Sequence, residues 1–329
     1  LDVVETPDGR PRRLLPDDGY GYLAGPFSPS GGKMAVTRVR GRDQELGVVD
    51  LSTGQATWTG LTPLDNLFGA TVQWRDEATL IAVTREPSAL SFVPNYGWQM
   101  RERLKRQWDA AAQGRSSLIA VGSGRYLGVQ QASSARRLVR IEAATGQADT
   151  LFEGDAFDLQ LSPDHRWAAL LVAAEPLQPD PAPLAGSAEP FRRHRLVLVD
   201  LETKTAWSPL PRHEAAVDLL SWSPDGGALL VYAKPDAARW SAAAYWKIAP
   251  TRQAVSPIDL GALVPAVAAN SHGMRIPRGQ WMASDPIAPA IAADGRRDWY
   301  RLSPAGPVRL TGTLPDGAQP VSYTHLTLP

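Results

Sequence analysis

Apolar and polar positions along the chain fall into a repeat. Five segments share one order: an apolar strand, a tight polar turn, then a second apolar strand. They are YLAGPFSPSGGKMAVTRV from Tyr22, TVQWRDEATLIAVTR from Thr71, SLIAVGSGRYLGVQ from Ser117, FDLQLSPDHRWAALLVA from Phe157 and DLLSWSPDGGALLVYA from Asp218. A large apolar residue precedes each turn: Phe27, Trp74, Val121, Leu161 and Trp222. The turns begin at Ser28, Arg75, Gly122, Ser162 and Ser223, at intervals of 47, 47, 40 and 61 residues. Four-stranded propeller blades repeat every ~40–50 residues. The long interval contains EPLQPDPAPLAGSAEP, from Glu175 to Pro190, whose prolines remove strand donors and favour an extended loop.

A second half-motif follows most copies, as LGVVDLSTGQATW from Leu46, RLVRIEAATGQADTLF from Arg137, RLVLVDLETKTAWSPL from Arg195 and, more loosely, YWKIAPTRQAVSPI from Tyr245. Thr-Gly at 53–54 and 145–146 suits a hairpin turn, since glycine tolerates positive φ. Leu1 to Leu15 matches this half alone, so the chain opens inside a blade, and Arg297 to Thr311 matches it again. Trp98 to Gln113 reads as a helix, with Trp98, Arg101, Leu104, Lys105 and Trp108 at three-to-four spacing, packed on the rim or face. Asp259 to Gln280 reads as loop. A four-stranded unit cannot bury both faces alone, whereas stacked copies cover one another. The fold class expected is therefore all-β: a β-propeller of about seven (six to eight) four-stranded blades, incomplete at both ends, with one helical insertion. The residues before the turns are expected to be buried between blades, with the 11 tryptophans filling that space.

With 43% hydrophobic and 21% charged residues the composition is globular. Lys+Arg and Asp+Glu both number 34, and the densest basic stretch, Arg101 to Arg106, lies on the helix; no nucleic-acid partner is expected. The chain has no cysteine and no apolar run of the ~18 residues that span a bilayer. Val321 to Pro329, VSYTHLTLP, resembles the translation of a transposase adapter used in preparing sequencing libraries; the alternative is an ordinary polar terminus. On the adapter reading, the propeller domain is residues 1–320 and is truncated. Residues 321–329 are then not native, and deleting them leaves stability unchanged.

The Ser-Pro-Asp-Gly turn at Ser223–Gly226, its variant at Ser162–His165, and VVDLSTG from Val48 resemble the repeats of two groups. One is the prolyl oligopeptidase family of serine peptidases, whose propeller caps an α/β-hydrolase domain; the other is the TolB-type periplasmic propellers. The helical stretch followed by IAVGSGRYL, and the segment RRDWYRLSPAG, are more similar to the cap of bacterial peptidases of the first family. That resemblance implies a hydrolase domain downstream carrying Ser, Asp and His, a peptide substrate, and a periplasmic or secreted location, with the cytoplasm as the alternative. The other reading is a non-enzymatic propeller that binds a protein or peptide partner.

No catalytic, cofactor or metal residue is assigned within the chain. The nucleophile elbow Gly-x-Ser-x-Gly does not occur, and Ser123, in GSG, reads as a blade turn. His165 sits in a repeat turn, His194 opens a strand, His325 lies in the adapter-like tail, and His213 and His272 read as ordinary loop residues, with contact to a substrate as the lesser alternative. Asp50, Glu142 and Asp200 recur at one repeat position and read as turn acceptors rather than catalytic acids.

Overall fold

In the computed structural model the described residues are 1–4, 9–41, 43–64, 69–87, 104–105, 107–115, 136–176, 192–217, 219–269 and 275–315. They form two compact units, one from Leu1–Leu177 with Arg192–Ser208, the other from Pro209 onward. Each is built from antiparallel blades of four strand positions, one of which is split into two short strands in three of the blades, so the fold class is the all-β propeller that the repeat predicts.

The first unit opens with a two-stranded sheet, β1 (Asp2–Val3) and β2 (Arg12–Arg13). Blade one is β3 (Gly21–Phe27), β4 (Lys33–Arg40), β5 (Asp43–Asp50) and β6 (Ala56–Trp58), in that order across the sheet. Blade two has β7 (Thr62–Pro63) and β8 (Val72–Trp74) on one side of β9 (Thr79–Arg85), then β10 (Arg136–Glu142) and β11 (Ala148–Glu153). Blade three is β12 (Ala156–Leu161), β13 (Trp167–Pro176), β14 (Arg192–Asp200) and β15 (Ala206–Trp207).

In the second unit, blade four places β16 (His213–Ala215) and β17 (Ser221–Trp222) beside β18 (Leu229–Pro235), followed by β19 (Ala244–Ala249) and β20 (Ala254–Pro257). Blade five starts with β21 (Val264–Pro265), after which β22 (Ala268–Ala269) and β23 (Arg275–Ile276) pair with each other. Its remaining strands are β24 (Gln280–Met282), β25 (Asp285–Ile291), β26 (Arg297–Ser303) and β27 (Gly306–Arg309). The four strand positions of a blade are lettered A to D in sequence order, position A being shared by two short strands in blades two, four and five.

Two expectations change here. The half-motif at Arg137 pairs with the Thr71 segment, Arg136 opposite Arg85 and Glu142 opposite Thr79. It therefore completes blade two across an insertion, rather than a blade begun at Ser117; Ser117 and Val121 lie outside the described residues. The stretch Asp259–Gln280, expected as loop, supplies β21 and the start of β24, so the Arg297 half-motif belongs to a complete fifth blade. Five blades and the β1–β2 pair are thus present among the described residues.

The core lies between blades because strand residues alternate in direction. On β4, Met34 and Val36 face Leu14 and Leu15, while Ala35 faces Trp74, Leu80 and Ile141 of blade two. Blades two and three meet through Ile81, Val83, Leu138, Leu159, Leu170 and Val199. Blades four and five meet through Leu230, Tyr232, Tyr245, Ala288 and Tyr300. Polar bonds cross the same joints. Gln73 Nε2 donates to Leu159 O at 3.1 Å, and its Oε1 accepts from Leu161 N at 2.8 Å.

The residues before the turns divide. Trp74 is buried at 7% exposure, and its indole donates to Pro26 O at 2.9 Å. Leu161 and Trp222 are half-buried. Phe27, expected in the core, is 59% exposed. The reason is its neighbour. Trp74 packs against Ala35, Leu46 and Val48 of blade one and bonds its A strand, whereas among the described residues Leu1, Val3, Leu14 and Leu15 cover the face of Phe27 beside Met34 and Val36. The expected helix is seen over residues 104–105 and 107–112, where Leu104 and Trp108 are exposed, Trp108 at 74%, instead of packed.

Candidate functional site

The repeat's polar residues build turns. In three blades the serine opening the A–B turn closes it, Ser28 Oγ accepting from Lys33 N at 3.2 Å, Ser162 Oγ from Trp167 N at 2.9 Å and Ser223 Oγ from Ala228 N at 2.9 Å. Ser162 and Ser223 in turn donate to Asp164 and Asp225. The fourth residue takes left-handed backbone, φ +76° at Gly31, +58° at His165 and +71° at Gly226. His165 therefore stands where the turn favours glycine.

The C–D turns repeat a second set. Asp50 Oδ1 accepts from the backbone of Ser52 and Thr53, both at 2.9 Å, and Asp200 Oδ1 from Glu202 at 2.9 Å and Thr203 at 3.1 Å. Glu142 accepts from the Thr145 hydroxyl at 2.7 Å. Hydrogen bonds led by that from the Ser52 hydroxyl hold the Asp50 carboxyl down at about 2. These three carboxylates are the turn acceptors that their spacing predicts, and Gly54 and Gly146 carry the positive φ.

The histidines are not brought together. His165 lies in the A–B turn of blade three and His194 near the start of β14, buried at 6% exposure with its ring 4.5 Å from Phe157. Burial pushes the His194 imidazole down to about 4, so it is neutral at physiological pH. His213 opens β16 edge-on to Trp246, at 4.9 Å. His272, His325 and Ser123 lie outside the described residues. Among the described residues no three His, Cys, Asp or Glu side chains gather as a metal site.

What does gather is arginine, at the end of blades one to three where B strands pass to C strands. Arg38 pairs with Glu45 (Nε–Oε2 2.9 Å) and lies 4.3 Å over the Trp58 ring; Arg40 lies 4.6 Å over Tyr20. Buried Arg85 donates to Gln44 Oε1 at 2.8 Å, across the joint between blades one and two. Asp155 holds Arg136 at 3.0 Å and Arg192 at 3.3 Å, and Glu175 holds Arg193 at 2.9 Å and also Arg195. Burial lowers the Arg136 pKa against the opposing pull of Asp155. The insertions between Arg85 and Arg136 and between Pro176 and Arg192 both leave from this end, since those residues are paired across their strands.

Guanidinium groups stay charged and donate in fixed forks; here Glu45, Asp155 and Glu175 accept from them, so this edge is an ion-pair network that ties strand ends together and cannot shuttle protons. It is the candidate site of the described residues, and the sequence reading passed it over. Its signal was the doubled arginines, Arg136–Arg137 and Arg192–Arg193, that resume the chain after each insertion.

No family model matches the chain, and no curated protein matches it. Among solved structures, TolB from Acinetobacter baumannii is similar at 12% identity over 94% of this chain and 60% of that one, with a TM-score of 0.37. The β-propeller domain of the Trilobed protease from Pyrococcus furiosus aligns at 12% identity, over 89% of this chain and 69% of that one, TM-score 0.43. The acylaminoacyl peptidase of Pyrococcus horikoshii aligns at 12% identity, over 89% and 38%, TM-score 0.41. The chain thus spans about three-fifths of that TolB chain and well under half of that peptidase. It is a run of antiparallel β-propeller blades whose turns are closed by the repeat's own serine and aspartate side chains.

Proposed function

We propose that the chain is the propeller cap of a prolyl oligopeptidase-like serine peptidase, limiting access of peptides to a hydrolase domain that lies C-terminal to it. The observation that carries this reading is the use of the motif residues. Ser162, Asp164, Ser223, Asp225, Asp50 and Asp200 are all engaged in closing turns, so the resemblance is one of scaffold, and the chemistry belongs to another domain. A periplasmic or secreted location is part of this proposal; no helix among the described residues is long and apolar enough to cross a membrane.

The experiment is to read the intact gene past Pro320 and to assay the purified chain on peptidyl and acyl chromogenic substrates. A Gly-x-Ser-x-Gly within roughly the next few hundred codons, with an inactive fragment, is the expected result. A stop codon after the closing of one further blade would instead make the protein a TolB-like, non-enzymatic propeller that binds a protein or peptide. Turnover by the fragment, surviving repurification and blocked by a serine-directed inhibitor, would overturn both.

A further inference from the structure

A single amide bridges the joint between blades two and three. Gln73 stands opposite Ile81 on β9. Its Nε2 donates to Leu159 O at 3.1 Å and its Oε1 accepts from Leu161 N at 2.8 Å. The joint between blades one and two is built differently. On β3 the register slips between Ala24, opposite Val36, and Phe27, opposite Met34, so Gly25 and Pro26 both fall against Ala35. Gly25, Pro26 and Ala35 therefore hold the places that Gln73 and Ile81 hold one joint further on.

What remains is a cleft of about 230 Å³ between blades one and two. Gly25, Pro26, Ala35 and Leu46 of blade one and Thr71 and Val72 of blade two are among its walls. A cavity of ~150 Å³ already admits a benzene ring. A Cβ at position 25 would stand 2.9 Å from Ala35 O, too close for a side chain to fill the cleft from there. The Trp74 indole crosses the same joint to Pro26 O, one residue further along.

The blade-two wall carries backbone groups to match. Thr71 O accepts from Val83 N and Arg75 N donates to Thr79 O, so residues 71 and 75 bond towards β9. Bonding direction alternates along a strand, which turns Val72 O and Trp74 N away from β9. By register these two atoms are the counterparts of Leu159 O and Leu161 N, the pair that the Gln73 amide engages.

We propose that this cleft binds a carboxamide on a short aliphatic stem, the chemistry that Gln73 supplies at the next joint. The amide NH2 donates to Val72 O, the amide carbonyl accepts from Trp74 N, and the stem lies over Ala35. A carboxylate would lack the donor and set its charge against Val72 O; a hydrocarbon would leave both backbone groups unpaired. The carboxamide is that of a glutamine side chain in a peptide or of a free small amide. A non-enzymatic propeller would carry the same cleft, so the inference does not rest on the peptidase reading.

The backbone amide of Trp74 is itself the reporter. In protein labelled with 15N-tryptophan the 11 tryptophans give few enough signals to assign, that of Trp74 by its loss in Trp74→Phe. Titration with propionamide should move it saturably, and propionate should act at least ~10-fold more weakly, the loss of one hydrogen bond. N-acetylalanine methylamide, which has peptide groups but no side-chain amide, should leave it in place. N-acetylglutamine methylamide binding more tightly than propionamide assigns the site to peptides, and the reverse order to free amides. Ala35→Ile restores the residue of the next joint and should abolish the response. Ala70→Leu, on the cleft wall, should do the same and covers the case in which the first variant packs poorly. Absent or unsaturable movement, an equal response to propionate, or a response that survives in both filled variants would overturn the inference.

Discussion

Trp74→Ala should be among the most damaging single substitutions in the first unit, and Phe27→Ala should be nearly silent, although both residues hold the same place in the repeat. A tryptophan buries roughly 150–250 Å², which at ~25 cal/mol per Å² is worth about 4–6 kcal/mol. That range is an upper estimate, because a compact unfolded chain already hides part of the ring. Truncations of buried aromatic residues, with the cavity left behind, cost about 3–5 kcal/mol. Trp74 is packed by Ala35, Leu46, Leu80 and Ile141, so the full cost applies. Trp74→Phe separates the terms, keeping most of the packing and leaving Pro26 O without its indole donor at a cost of about 1 kcal/mol. Phe27 is more than half exposed, and its truncation should change stability by less than ~1 kcal/mol. Urea denaturation followed by far-UV circular dichroism reads all three. Equal losses at Trp74 and Phe27 would refute the packing rule, and with it the reason given for the exposure of Phe27.

Two further perturbations test local features. His165 occupies a left-handed turn position, so His165→Gly should raise stability by up to ~1 kcal/mol and Gly226→Ala, at the equivalent turn of blade four, should lower it by about as much; the opposite signs would contradict the shared turn geometry. His194 is buried neutral with its pKa near 4 against an ordinary 6.5. The unfolded chain therefore binds a proton that the folded chain refuses as pH falls below about 6.5, so stability present above that pH drains away down to about pH 4, by ~3 kcal/mol from this group. The unfolding midpoint measured from pH 7 to 4 should fall, and His194→Phe should flatten the fall; an unchanged slope would mean the imidazole is not shielded.

The turn chemistry was the most legible part of the sequence. Ser28, Ser162 and Ser223, with Asp50 and Asp200, act through backbone atoms within five residues, so their spacing alone states the geometry. Blade assignment was less legible because β9 and β10 are partners separated by the insertion after Arg85. Apolar patterning specifies that a strand exists, and not which strand lies beside it. The first half of blade five was missed for a related reason. β21 is two residues long and β24 three, too short to show a period. Phe27 fits the repeat in sequence, but its burial depends on a neighbouring blade that local pattern does not describe. The arginine edge was overlooked because each pair sits at a strand start, where a basic residue reads as ordinary surface.

The reassignment of blade two is tested most directly by excision. Arg85 and Arg136 are cross-strand neighbours at the ends of β9 and β10, so residues 88–133 can be replaced by a short Gly-Ser turn without moving either strand. The pairing predicts that the shortened chain keeps its sheet signal and its urea midpoint, with the joints on both sides of blade two intact. If the segment from Ser117 were instead a blade of its own, its loss would strip the neighbours of their cover, and the shortened chain would aggregate or lose its cooperative transition.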